Sequence, residues 1–221
     1  MNRRFYEAEA GTSDARRSAP AASRNVEPIG EVLAEWLPAT GTLLEIASGT
    51  GEHAVAYAAQ FPGILWQPSD CDDAPLASIA AWRSAADLPN LAPPLRIDVR
   101  ESAWGIEHVD AIVAFNMVHI SPWESSLGLL DGAAQLLTPG GLLILYGPWI
   151  QHDVETAPSN LMFDEDLKAR DPQWGLRRVA DFSREAEARG LFLEERRTMP
   201  ANNIMLRFVR GEALGQGPPE Q

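Results

Sequence analysis

Short apolar runs and helix-period stretches take turns along most of this chain, and that alternation constrains its fold more than any other feature. Val26, Ile29, Val32, Leu33, Trp36 and Leu37 recur at three- and four-residue steps, which predicts a helix over 24–37 that Pro38 and Gly41 stop. Residues 42–47 then read as a strand and 52–60 as a helix. A second strand covers 64–68 and ends near Asp70, a helix follows over 74–84, and 95–98 is a short third strand. The fourth strand, 110–115, is uniformly apolar after Asp110, as a strand buried on both faces should be. Ser121 is placed to cap a helix over 121–137, with Pro122 at its first position. Pro139-Gly140-Gly141 turns the chain into a fifth strand over 142–146. Residues 147–175 read as irregular, a length more usual for lids and binding segments than for plain connections. The last helix, 178–189, stops at Gly190, and strands over 192–198 and 204–209 meet through Pro200-Ala201-Asn202-Asn203.

Strands that alternate with helices pack as parallel neighbours, because the helix supplies the right-handed crossover. The last two strands have no helix between them and should pair as an antiparallel hairpin at one edge. The fold class is therefore α/β: a Rossmann-like, mostly parallel seven-stranded sheet with a C-terminal antiparallel hairpin. A chain of 221 residues suits a single core. That domain is expected over 19–210, after a flexible arm over 1–18 and before a disordered Gly/Pro-rich tail over 211–221.

Charge and cysteine content narrow the partners. A formal net charge of −13 repels phosphate backbones, so no nucleic acid is expected. No apolar run approaches the roughly 18 residues of a membrane span, and the opening residues carry no apolar signal segment. Cys71 is the only cysteine, which suits a reducing cytoplasm. The expectation is a cytoplasmic monomer or homodimer that acts on a small molecule and has no membrane partner. His53, His108, His119 and His152 lack metal-ligand spacing, so no metal is expected, and no G-x-S-x-G elbow marks a hydrolase.

Glu45-Ile46-Ala47-Ser48-Gly49-Thr50-Gly51 lies between the first strand and the next helix, where an open α/β sheet binds its ligand. Two cofactors fit. Gly49 to Ala54 matches the G-x-G-x-x-[G/A] dinucleotide pattern with Asp70 downstream, as an NAD(P)-dependent oxidoreductase would have it. The same segment resembles the acidic-x-Gly-x-Gly-x-Gly motif of class I methyltransferases, which use S-adenosyl-L-methionine, with Ala47 in place of the first glycine. Glu45 favours the second reading, since a carboxylate there repels a pyrophosphate and attracts an ammonium group. The terminal hairpin agrees with it, and no room is left for a separate dehydrogenase catalytic domain. Ser48, Gly49 and Gly51 then line the turn, and Asp70 is suited to accept both ribose hydroxyls. Asp98 is suited to the adenine amino group and the Val99 amide to a ring nitrogen, with Asn116 completing the cofactor set. Plainer readings stand beside these, with Asp70 a solvated turn carboxylate and Asp98 a loop carboxylate.

Longer blocks carry a more specific resemblance. They are Ser23-Arg24-Asn25 with Pro28-Ile29, Leu44 to Gly51, Trp66-Gln67-Pro68-Ser69-Asp70, and Asn116 to Trp123. Tyr146-Gly147-Pro148, Ala157-Pro158-Ser159-Asn160, Arg170 to Gly175 and Met199 to Asn203 continue it. With these the chain resembles the DUF938, or methyltransferase-like 26, family, in which Ala47 is the usual residue. The resemblance implies the methyltransferase fold and S-adenosyl-L-methionine as cofactor, and it names no acceptor. In that fold the residues just beyond the fourth strand face the methyl group, so His119 is the candidate base or acceptor-orienting group, with a structural histidine as its plain alternative. Tyr146 is a second catalytic candidate. Arg24, Asn25, Trp149, Asn160, Trp174, Arg177 and Asn203 supply the aromatic, amide and cationic groups expected of an acceptor pocket. A retained cofactor turn does not guarantee chemistry, so a non-catalytic cofactor-binding interaction protein stays as an alternative.

Overall fold

The computed structural model describes residues 15–211. In chain order they form α1 (Pro20–Trp36), β1 (Gly41–Ile46), α2 (Glu52–Gln60), β2 (Ile64–Asp70), α3 (Asp73–Ala86), β3 (Leu95–Arg96) and β4 (Val109–Phe115). A 3-10 turn (Val118–Ile120) leads to α4 (Trp123–Leu136) and β5 (Leu137–Gly147), and then come α5 (Pro158–Arg170), α6 (Val179–Glu187) and β6 (Leu191–Met199). A second 3-10 turn (Pro200–Asn202) joins β6 to β7 (Asn203–Arg210). The sheet order is β3-β2-β1-β4-β5-β7-β6. Pairs among the first five strands are parallel, and β7 runs antiparallel to both β5 and β6. This is the mostly parallel seven-stranded α/β sheet with a terminal hairpin that the alternation predicts.

Each sheet face carries its own core. On one, Ile29, Leu33 and Trp36 of α1 and Ala54, Tyr57 and Ala58 of α2 cover Leu43, Trp66, Val113 and Tyr146. On the other, Leu129, Leu130 and Ala133 of α4 and Val179 and Phe182 of α6 cover Leu44, Ile112, Leu143 and Phe208. Burial of each Leu, Ile, Val or Phe among them contributes roughly 1.5–3 kcal/mol. Ile29, Leu33 and Trp36 reach one core because steps of four and three return to the same helix face.

Several boundaries differ from the sequence expectation. α1 begins at Pro20 rather than Arg24, with proline at its first position, where a missing N–H costs nothing. Ahead of it, the Arg17 amide donates to Ser78 Oγ (2.9 Å) and the Ala19 amide to Glu52 Oε2 (2.7 Å), so the segment is tied to α3 and α2. The rest of the expected arm, residues 1–14, and the expected tail beyond residue 211 lie outside the described residues. The third strand keeps only two residues. Ser121 does not cap α4; it ends the 3-10 turn, and Pro122 takes the cap position without a side-chain hydrogen bond. The stretch expected to be irregular contains the 13-residue α5. No described helix is long and apolar enough to cross a membrane.

Between β3 and β4 the chain crosses as a loop that α4 holds at close range. A Cβ on Gly132 would overlap the Trp104 ring, and one on Gly128 would overlap the Val99 carbonyl oxygen. Gly132→Ala is therefore expected to lower stability by about 1–3 kcal/mol through overpacking. Urea unfolding reads this directly, and an unchanged midpoint would mean that the loop yields freely.

Candidate functional site

Parallel strands on either side of β1 cross over in opposite directions, so the sheet opens a crevice beyond the carboxyl ends of β1 and β4. The backbone there is left-handed at Ala47 (φ 54°), Gly49 (φ 59°) and Gly51 (φ 90°). At Ala47, where the motif carries glycine, this conformation costs roughly 1–2 kcal/mol, strain of a kind that gathers at ligand sites. A Cβ on Gly51 would come within 2.9 Å of the Ile79 Cα, so glycine there lets α3 pack onto the turn. The turn is pinned to β2. Ser48 N donates to the Ser69 carbonyl (2.8 Å), Ser69 N to Ser48 Oγ (3.1 Å), and Ser69 Oγ to the Glu45 carbonyl (2.7 Å).

Two carboxyl groups flank this turn. Asp70, at the end of β2, accepts the Gly49 amide on Oδ2 (3.0 Å) and the Asp72 amide on Oδ1 (3.2 Å). Burial pushes its pKa up, and those amides pull the other way. Glu45 is buried on the α1/α2 side and its Oε2 accepts the Trp66 indole N–H at 2.7 Å. Burial drives the Glu45 carboxyl up to about 8 against the Trp66 and Ser48 hydrogen bonds, with the Asp70 charge adding to the rise. Asp98, past β3, pairs with Arg100 (2.5 Å), which holds its carboxyl below the usual range. Val99 is buried and lines a cavity of about 360 Å³ between the 100–106 loop and α4, and neither the glycine turn nor Asp70 reaches that cavity.

Beyond β4, Asn116 is left-handed (φ 58°) and its amide donates to the Tyr146 carbonyl (2.8 Å), tying the ends of β4 and β5 together. His119 is buried with its ring edge-on to Phe163 of α5 (5.7 Å) and its carbonyl accepting the Gly175 amide (3.0 Å). A Cβ on Gly147 would sit 3.2 Å from the His119 ring and 3.7 Å from Asn116 Oδ1, so these three residues adjoin. Burial, and then the Arg177 charge, lower the His119 pKa to about 4. On the α1/α2 side the Tyr146 hydroxyl accepts Asn203 Nδ2 (3.0 Å) and feels the Arg24 charge. Half-buried Asn25 follows Arg24 on α1.

The other expected acceptor residues are engaged in core packing and in holding the segments around His119. Trp149 is a core residue, edge-on to Phe182 at 5.3 Å. Arg177 spends Nη2 on the carbonyls of Ser121 (2.7 Å) and Gln173 (2.8 Å) and lies over the Trp123 ring, which fastens the post-α5 loop to the 3-10 turn. Asn160 donates to the Asn202 carbonyl (3.0 Å), which docks α5 on the β6–β7 turn, and half-buried Trp174 follows α5. Two side chains given no site role from sequence stand out. Trp66 holds Glu45, and His53 stacks on Tyr57 (5.6 Å) and meets Phe115 edge-on (5.2 Å) with Nε2 buried and unpartnered.

Residues 16–210 match the family described as protein of unknown function, DUF938. The chain belongs to the DUF938 family. Solved structures share its fold at low identity. An O-methyltransferase family protein from Burkholderia thailandensis aligns over 87% of this chain and 59% of its own, at 16% identity and a TM-score of 0.73. The mitomycin 7-O-methyltransferase MmcR aligns over 86% and 55%, at 19% identity and 0.72. CalO1, a methyltransferase in calicheamicin biosynthesis in its SAH-bound form, aligns over 86% and 54%, at 18% identity and 0.69. The chain thus spans a little over half the length of each. The fold of this DUF938 protein is that of class I methyltransferases.

Proposed function

We propose that this protein is an S-adenosyl-L-methionine-dependent methyltransferase of the methyltransferase-like 26 type, acting in the cytoplasm on a small-molecule acceptor. The observation that carries the reading is the pair of carboxyl groups around the glycine turn, Glu45 behind it and Asp70 bound to its Gly49 amide. A buried acid behind the turn offers no donor set to a pyrophosphate and repels it when ionised, whereas a zwitterionic amino acid joined to a ribose fits an acid for its ammonium and an acid for its hydroxyls. The net charge of −13 supports a small acceptor over a nucleic acid.

When bound, the cofactor supplies an electrophilic methyl group on a sulfonium. The residues of this chain hold the acceptor lone pair in line with it, and such positioning is the main source of acceleration for a displacement. His119, kept neutral by burial, orients the acceptor by hydrogen bonding; with a pKa near 4 it is a weak base at neutral pH. Tyr146, Asn203 and Arg24 present a hydroxyl, an amide and a positive charge from the other side of β5.

Calorimetry with S-adenosylmethionine, S-adenosylhomocysteine and NADH tests the cofactor, with binding expected for the first two alone. Binding of NADH without either S-adenosyl compound would replace this reading with the oxidoreductase one. Transfer of a labelled methyl group into a pool of small metabolites tests catalysis, and cofactor binding without any transfer would favour the interaction protein.

A further inference from the structure

We propose that Trp66 is a positioning residue of the cofactor site, its indole N–H holding the Glu45 carboxyl in place behind the glycine turn to receive an ammonium group. This rests on the methyltransferase reading above. Trp66 is among the largest side chains that the fold encloses completely. Its ring cannot swing away, because Phe61 stacks on it (6.5 Å), Tyr57 leans against it (5.5 Å), and its backbone bonds to Asn90 (2.8 Å) and Ala92 (2.9 Å). The parallel register of β1 and β2 sets Trp66 opposite Leu43, and from there the indole spans to Glu45 Oε2 at 2.7 Å. The serines 48 and 69 bind the Glu45 carbonyl at the same time, so main chain and side chain of this residue are both fixed.

A buried carboxyl that ionises needs a cation or several N–H donors beside it. Glu45 has a neutral donor instead. Among the described residues, the titratable groups facing it are Asp70 at the end of β2 and Tyr57 from α2, and neither is a cation. The cluster is therefore a buried carboxyl, oriented by an N–H, with the positive charge still to be supplied. An ammonium arriving at the turn supplies it, and its arrival expels the proton that burial keeps on Glu45. Removing the indole donor makes the anion harder to form, so the site takes up its ligand only at higher pH.

Titrations of S-adenosylhomocysteine from pH 6 to pH 9, in buffers of differing ionisation enthalpy, test this. Wild type should bind more tightly as pH rises and release close to one proton per ligand at neutral pH. Trp66→Phe should bind about tenfold more weakly at pH 7, the loss of one hydrogen bond to a charged group, with its pH curve displaced upward. Glu45→Gln should give a flat curve. A folded Trp66→Phe with the wild-type curve, or with a loss uniform across pH, overturns the proposal. Where Trp66→Phe fails to fold, wild type labelled with 15N-tryptophan decides. The indole signal that moves in Glu45→Gln must also move when S-adenosylhomocysteine is added, and a fixed signal overturns the proposal. Wild type that binds no S-adenosylhomocysteine at any pH refutes the methyltransferase reading instead.

Discussion

Acidification from pH 6.5 to pH 4 is expected to lower the folding stability by about 3 kcal/mol net, because two histidines are buried in their neutral form. Burial lowers His53 and His119 from 6.5 to about 4. Above pH 6.5 both are neutral whether the chain is folded or not, and their contribution is complete. As pH falls the unfolded chain takes up protons first, so that contribution is lost through the folded pKa, roughly 3 kcal/mol for each histidine. Together they cost about 6 kcal/mol, of which the change at Glu45 returns about half. Glu45 works in the opposite sense. Its folded pKa is raised from 4.5 to about 8, so its contribution is complete at low pH and declines as pH climbs through that window. Stability should therefore peak near pH 6.5 and fall on both sides. Urea midpoints at half-unit intervals would show it, and a level profile from pH 5 to pH 8 would contradict it. Saturating S-adenosylhomocysteine should flatten the alkaline limb, since a bound ammonium lets Glu45 ionise in place.

Replacing Asp70 by alanine should weaken S-adenosylhomocysteine binding by about 1–3 kcal/mol, the worth of hydrogen bonds to a charged group. The carboxylate has two tasks in this structure. It is the acid facing the expected ribose position, and it also holds the Gly49 and Asp72 amides at 3.0 and 3.2 Å. Alanine removes both, leaving those amides without their acceptor and the turn with less to hold its shape. Asp70→Asn separates the two, because an amide oxygen still accepts one backbone N–H without the charge. Asparagine should keep the unfolding midpoint close to wild type while still losing affinity, and alanine should lose both. Calorimetric affinity and urea midpoints measured together check this. Unchanged affinity in both variants would take Asp70 out of the cofactor site.

What could be read from the sequence tracks what depends on local pattern. β1, β4 and the glycine turn are legible because apolar runs and glycines mark them without reference to any partner. The hairpin follows from two strands with no crossover between them. α5 escaped because it has no apolar stripe: Asn160 and Leu167 are its buried residues, while Leu161 and Met162 face outward. It stands on helix propensity and on the Asp164–Lys168 and Asp166–Arg170 pairs, which hydrophobic periodicity does not detect. The start of α1 was hidden by its composition, since alanine and serine suit an arm as well as a helix, yet Ala19 and Ala22 are buried. In the candidate site, Glu45 and Asp70 were legible by their place at the ends of strands. The role of Trp66 was not, because it depends on how β1 and β2 are aligned, and residue spacing carries no strand register.

The insertion of β7 between β5 and β6 matters for how the chain is made. β5 carries the run Leu142-Leu143-Ile144-Leu145-Tyr146, and its far side is covered by β7 alone. A chain emerging from the ribosome thus displays this apolar strand as an open edge until residues 203–210 follow. Such an edge is a template for pairing with other chains. Once the hairpin closes, the rim belongs to β6 and its Glu194-Glu195-Arg196-Arg197, whose charges discourage that pairing. The closing of β7 onto β5 thus replaces an adhesive border with a repellent one.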